Sequence, residues 1–230
     1  MGGETMAGIW IERGGFLREI LHLLGIKDWD CQWLITGLEC YDTCGWEGAE
    51  KWGQETLLLS NEAFLHDVEE RDMQFVWGIF SAIPSRYSRK EIFSYAMPDF
   101  QEENGRSVGL REHLLPQHSL AFLEILSEDS ASVTVISPEP EVLQPLYGLS
   151  CWTEDAEKSN RCFLATETAV KEFVAVRGYG KMNDYIRRNL SCHVWHSLYH
   201  HRPDRPFCRE EVEAACLHYW NGELEWRRPM

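Results

Sequence analysis

Between Met73 and Ile83 the chain is nearly continuous in apolar side chains, and Pro84 follows directly. That is the pattern of a strand buried on both faces, and a proline cannot continue its ladder. A chain built around such a strand must supply apolar cover on two sides of a sheet. With 44% hydrophobic and 12% aromatic residues over 230 positions, this one can do so.

The surrounding patterns predict the neighbours. Gly8–Glu12 reads as a short strand, and Phe16, Leu17, Ile20, Leu21, Leu23 and Leu24 recur at helical spacing before a stop at Gly25. Cys31–Tyr41 is extended, and residues 42–56 form a loop. Ser60 caps a helix that carries Phe64 and Val68 inward and ends before Asp72. Residues 98–118, with Asn104-Gly105, form an irregular excursion. Ser119–Leu126 and Ser132–Ser137 pair as a β-hairpin, and Pro138 and Pro140 precede a short helix. Cys162–Thr166 is expected as a closing edge strand, and Phe173–Val176 as another strand. The expectation is an α+β fold, a mixed α/β sandwich with a β-hairpin and a helical C-terminal extension. Its parts are an acidic α/β domain over 1–168 and a His/Cys-rich helical extension over 169–230.

Several of these segments resemble an uncharacterised bacterial family, a domain of unknown function. The residues that carry the likeness are Gly8-Ile9 through Glu12, Gly15-Phe16-Leu17 with Glu19-Ile20-Leu21, and Trp33-Leu34-Ile35 with Gly37, Glu39 and Tyr41. Phe80-x-x-Ile83-Pro84 and Leu143-x-x-Leu146-Tyr147 extend it, so it spans about residues 7–165. The resemblance implies a bacterial source and a compact α/β domain, and it assigns no activity.

Charge divides the chain. Residues 1–170 hold 12 Lys and Arg against 29 Asp and Glu, a formal charge of −17; residues 171–230 hold 10 against 8, or +2. The total of −15 repels nucleic-acid phosphates and favours a basic partner. No charged segment leads into an apolar run at the start, and no apolar stretch approaches the ~20 residues that span a bilayer. The eight cysteines include no C-x-x-C pair. A cytoplasmic location with reduced thiols is therefore expected.

The last sixty residues carry five of the nine histidines and three of the eight cysteines. If 182–200 is helical, His193, His196 and His200 share an arc of about 60°, because each residue turns ~100°. Three imidazoles on one face can ligate a metal, with zinc as the natural candidate, and Cys208, Cys216 or His218 from a second helix could complete the set. Cys192 and His196, at i and i+4, have the spacing of a thiolate–imidazole pair. Arg177-Gly178-Tyr179-Gly180-Lys181 reads as a Gly-rich turn and does not satisfy the Walker A spacing.

One further cluster precedes the long apolar strand. Trp46 and Trp52 alternate with Glu47, Glu50 and Glu55, so aromatic anchors ringed by acids suit a basic protein partner or a sugar. The competing reading folds both rings onto the core. On balance the sequence predicts a non-enzymatic acidic binding or inhibitor module, immunity-protein-like, with Trp46, Glu47, Glu50 and Trp52 at its partner surface. A metal-binding protein or metal-dependent enzyme using the C-terminal histidines is the alternative.

Overall fold

The computed structural model describes residues 8–11, 17–42, 52–70, 73–100, 113–130, 132–149, 153–177, 184–200, 202 and 205–220. They divide into two compact units, Met1–Glu157 and Lys158–Met230. Composition alone sets the division at 168/169; in the structure it falls near the start of a long helix.

The first unit is an antiparallel sheet ordered β3-β2-β4-β5-β6-β1-β7. Its strands are β1 (Gly8–Ile11), β2 (Cys31–Asp42), β3 (Thr56–Ser60), β4 (Met73–Pro84), β5 (Leu123–Glu128), β6 (Ser132–Ile136) and β7 (Thr153–Asp155). The helices are α1 (Leu17–Leu23), α2 (Asn61–Glu70), α3 (Arg89–Ile92) and α4 (Pro140–Leu143), with 3-10 turns at Ile26–Asp28 and Gln144–Gly148. The α+β class expected from the sequence is the class observed.

Successive side chains of a strand point to opposite faces, and β4 shows why its sequence is so apolar. Phe80 and Ala82 face a core shared with Trp33, Ile35, Ile125 and Val135, under Ile20 of α1 and Phe64 of α2. Ile79 faces Leu126, Ile136 and Leu114 on the other side, and Ile83 packs there with Leu34 and Ile92. Helices cover the first face, whereas α3 and irregular chain from 85–100 and 113–122 cover the second.

Polar contacts fix the cover. Ser60 accepts a hydrogen bond from the Ala63 N–H at 3.2 Å, which is the predicted cap of α2. The buried Asn61 accepts from the Trp33 indole at 2.9 Å and donates to the carbonyls of Ile26 and Trp29. At the other end of α2, the Arg18 guanidinium donates to the Val68 carbonyl through two nitrogens, at 3.1 and 2.9 Å. A cation there also opposes the partial negative charge of a helix C-terminus.

The second unit departs from the expected strands. Cys162–Thr166 and Phe173–Val176 both lie in one helix, α5 (Ala156–Val176). Ala169, Val170, Phe173 and Val174 are buried while Val176 is 85% exposed, the spacing of a helix and not the alternation of a strand. The short windows C-F-L-A-T and F-V-A-V hide that longer period. Helices α6 (Asp184–Leu198) and α7 (Arg209–Trp220) contribute Leu190, Val194, Val212 and Cys216 to the same core.

Gly37 occupies an irregularity where the β2–β4 register shifts between Thr36 and Glu39. Its φ is +57°, and a Cβ there would lie 2.9 Å from the Phe100 ring. Gly37→Ala should therefore destabilise the protein by about 1–2 kcal/mol, from left-handed backbone strain alone. A urea midpoint equal to that of the wild type would refute this.

Candidate functional site

The histidines of α6 do not converge as an ideal helix would bring them. The helix ends at Leu198, and the N–H groups of Tyr199 and His200 both bond to the Trp195 carbonyl, at 2.8 and 3.1 Å. That turn carries His200 off the helical path, so the 100° step no longer applies to it. The His200 ring is buried and stacks on Trp195 with centroids 4.9 Å apart, and His196 meets it at 4.2 Å. His193 points elsewhere and stacks on Tyr219 of α7 at 5.6 Å. Of the predicted triad, the structure brings His196 and His200 together and separates His193. Among the described residues no three His, Cys, Asp or Glu side chains are grouped so as to hold one metal ion.

Of the downstream cysteines, one packs in the core and the other is held by hydrogen bonds. Cys216 is wholly buried in the helical core, and burial pushes its thiol up to about 12. Cys208 sits at the start of α7, where its backbone N–H donates to the Tyr199 hydroxyl at 2.9 Å and its thiol to Glu210 at 3.3 Å. Burial is also the largest influence on Cys192 and raises its pKa, against the nearby Arg188. A raised pKa suppresses the thiolate that a Cys192–His196 nucleophilic pair would need. Of the basic residues in this unit, Arg205 donates to the Leu198 carbonyl and pairs with Glu211, and Arg209 pairs with Glu172 and Glu213. The Gly-rich turn at 178–181 lies outside the described residues.

Trp52 is not a surface anchor. It is 2% exposed, with its ring 6.5 Å from Phe64 and 5.8 Å from Phe75. The sequence around it is polar, but one indole offers enough apolar area to draw this position under α2. Trp46, Glu47 and Glu50 lie outside the described residues. Exposed acids nearby come instead from Glu55, just before β3, and from Glu62, Glu69 and Glu70 on α2. On a helix, positions 62, 66, 69 and 70 share one face, so Glu62, Glu69 and Glu70 flank His66 there.

A buried carboxylate and a buried imidazole went unnoticed in the sequence. Glu124 of β5 is 0% exposed and stands directly opposite Ser81 of β4. It accepts from the Ser81 hydroxyl at 3.0 Å and from the Gln117 N–H at 3.0 and 3.2 Å. His118 is equally buried; its Nδ1 accepts from the Leu120 N–H at 3.2 Å, so Nε2 carries the proton and donates to the Ile92 carbonyl at 3.1 Å. Although Ser, His and Glu are close in the fold, the imidazole is engaged by backbone on both nitrogens. The arrangement ties segment 113–122 and α3 to the second face of the sheet. The one available signal was a lone Glu inside the apolar run Phe122–Leu126.

These groups give the protein opposed pH dependences. Burial is the largest influence on Glu124 and raises its pKa against the donated hydrogen bonds, because the charged form is the costlier one to bury. Its contribution is complete below the ordinary carboxyl range and declines as pH rises through the raised value. Burial lowers the pKa of His118, whose contribution is complete above the ordinary histidine range and declines as pH falls. Glu124→Gln should therefore gain stability relative to wild type as pH rises from acid to neutral. Urea midpoints of the two proteins that move in parallel across that range would refute the assignment. No protein-family model, curated protein or solved structure matches the chain.

Proposed function

We propose that this protein is a non-enzymatic acidic binding module that engages a basic protein, as an immunity-type inhibitor does. The observation that supports it is the charge of the first unit. Residues 1–157 hold 10 Lys and Arg against 28 Asp and Glu, a formal charge of −18, while 158–230 hold 12 against 9, or +3. The structural division thus sharpens the contrast. A field of that size steers a basic partner toward the sheet unit and repels nucleic acid. The buried Glu124 and His118 are engaged in holding the fold, which fits a binding role. A bacterial, cytoplasmic setting with reduced cysteines belongs to the same reading; among the described residues no disulfide is formed. No helix of the described residues is long and apolar enough to cross a membrane.

Native mass spectrometry of untagged protein from its source cells tests this. The expected result is a complex with a basic polypeptide whose Kd weakens at least ~10-fold between low and physiological salt, as screened charge pairs require. A complex indifferent to salt would overturn the reading.

A second reading, metal binding, is supported by the His196–His200 contact at 4.2 Å. Two imidazoles supply half of a tetrahedral zinc set. In this reading zinc binds with one-to-one stoichiometry and is lost in both His196→Ala and His200→Ala, while His193→Ala retains it. Zinc titration followed by calorimetry decides; equal uptake by all variants would remove the pair from consideration.

A further inference from the structure

The two edges of the sheet are built differently. β7 is only Thr-Glu-Asp, short and acidic, which is how natural edges avoid pairing with foreign strands. β3, at the other edge, is Thr-Leu-Leu-Leu-Ser, with no charge, no proline and no break in its register against β2. Its side chains are already committed. Leu57 and Leu59 pack on the helix-covered face, and Leu58 packs on the other. What β3 leaves over is its outer row of N–H and C=O groups, beside which no described strand pairs.

We propose that this edge takes an extended segment of a basic protein as an added strand. The inference deepens the basic-partner reading and depends on it. The occupant follows from charge. Exposed Glu55 immediately precedes β3, and α2, which follows it, exposes Glu62, Glu69 and Glu70. A second copy docked edge to edge would bring two such acidic flanks together, within a unit of charge −18. A strand bearing Lys or Arg meets opposite charges instead, while its backbone completes the ladder.

The probe is a short peptide alternating lysine and valine, added to the full-length protein. Its control is the same peptide with alternate backbone nitrogens methylated, which keeps the charge and removes the donors on one edge. Amide hydrogen exchange of Thr56–Ser60 and calorimetry are the readouts. With the parent peptide at about one hundred times its Kd, outward β3 amides should exchange up to ~100-fold more slowly. The methylated peptide should bind at least ~10-fold more weakly and leave β3 exchange unchanged. If both peptides bind equally, with salt sensitivity but without protecting β3, the edge inference fails and the basic-partner reading stands. If neither peptide binds at low salt, both fail. Protection of β3 that grows with protein concentration in the absence of peptide would identify a second copy as the occupant and overturn the proposal.

Discussion

The first unit depends on the burial of β4 from both sides. β4 pairs with β2 along one edge and, over Gly78–Ala82, with β5 along the other, so that stretch is flanked by strands on both edges. Its side chains must then find two separate apolar surroundings, Phe80 and Ala82 in one and Ile79 and Ile83 in the other. Interiors are close-packed, so a loss of cover on either face is felt by the whole strand. The helices α1 and α2 serve one side. The other side receives irregular chain, whose backbone polar groups need partners that a helix would have provided internally.

Glu124 and His118 answer that need. The Glu124 carboxyl group, directly across from Ser81, accepts hydrogen bonds from segment 113–122, and an imidazole spans the Ile92 carbonyl and the Leu120 N–H. Irregular cover over a buried sheet face is therefore tied by buried polar groups. Such groups are costly when unpaired and specific when paired. They make this face dependent on pH, while the helix-covered face relies on apolar packing and on the neutral amide of Asn61.

In the second unit the core is an ordinary helical one, and its histidines follow from where that core lies. Val194 and Leu190 are buried, so α6 is oriented by its apolar stripe. The imidazoles then take whatever lies on the remaining sides: Tyr219 for His193, and Trp195 with each other for His196 and His200. Their grouping is a consequence of aromatic packing and of the chain turn after Leu198.

Hydrophobic period and punctuation made most of the first unit legible: the two-faced strand ending at Pro84, the Ser60 cap, the hairpin and the stop at Gly25, whose φ is +64°. These are local properties, decided within a few residues by sterics, capping and apolar alternation. The separation of charge was legible too, because it is additive along the chain. The order of strands, the burial of Trp52 against Phe64 and Phe75, the pairing of Glu124 with Ser81 and the parting of His193 from His196 were not. Each depends on which distant segments become neighbours, and a helix end displaced by two residues or a loop folded under a helix is enough to change them. The sequence by itself determined most elements of the first unit and the sign of its charge, but not the helix that contains Cys162–Thr166 and Phe173–Val176. Only the tertiary structure decided which polar groups are buried and which edge of the sheet is left without charge, because both depend on long-range packing that no local pattern encodes.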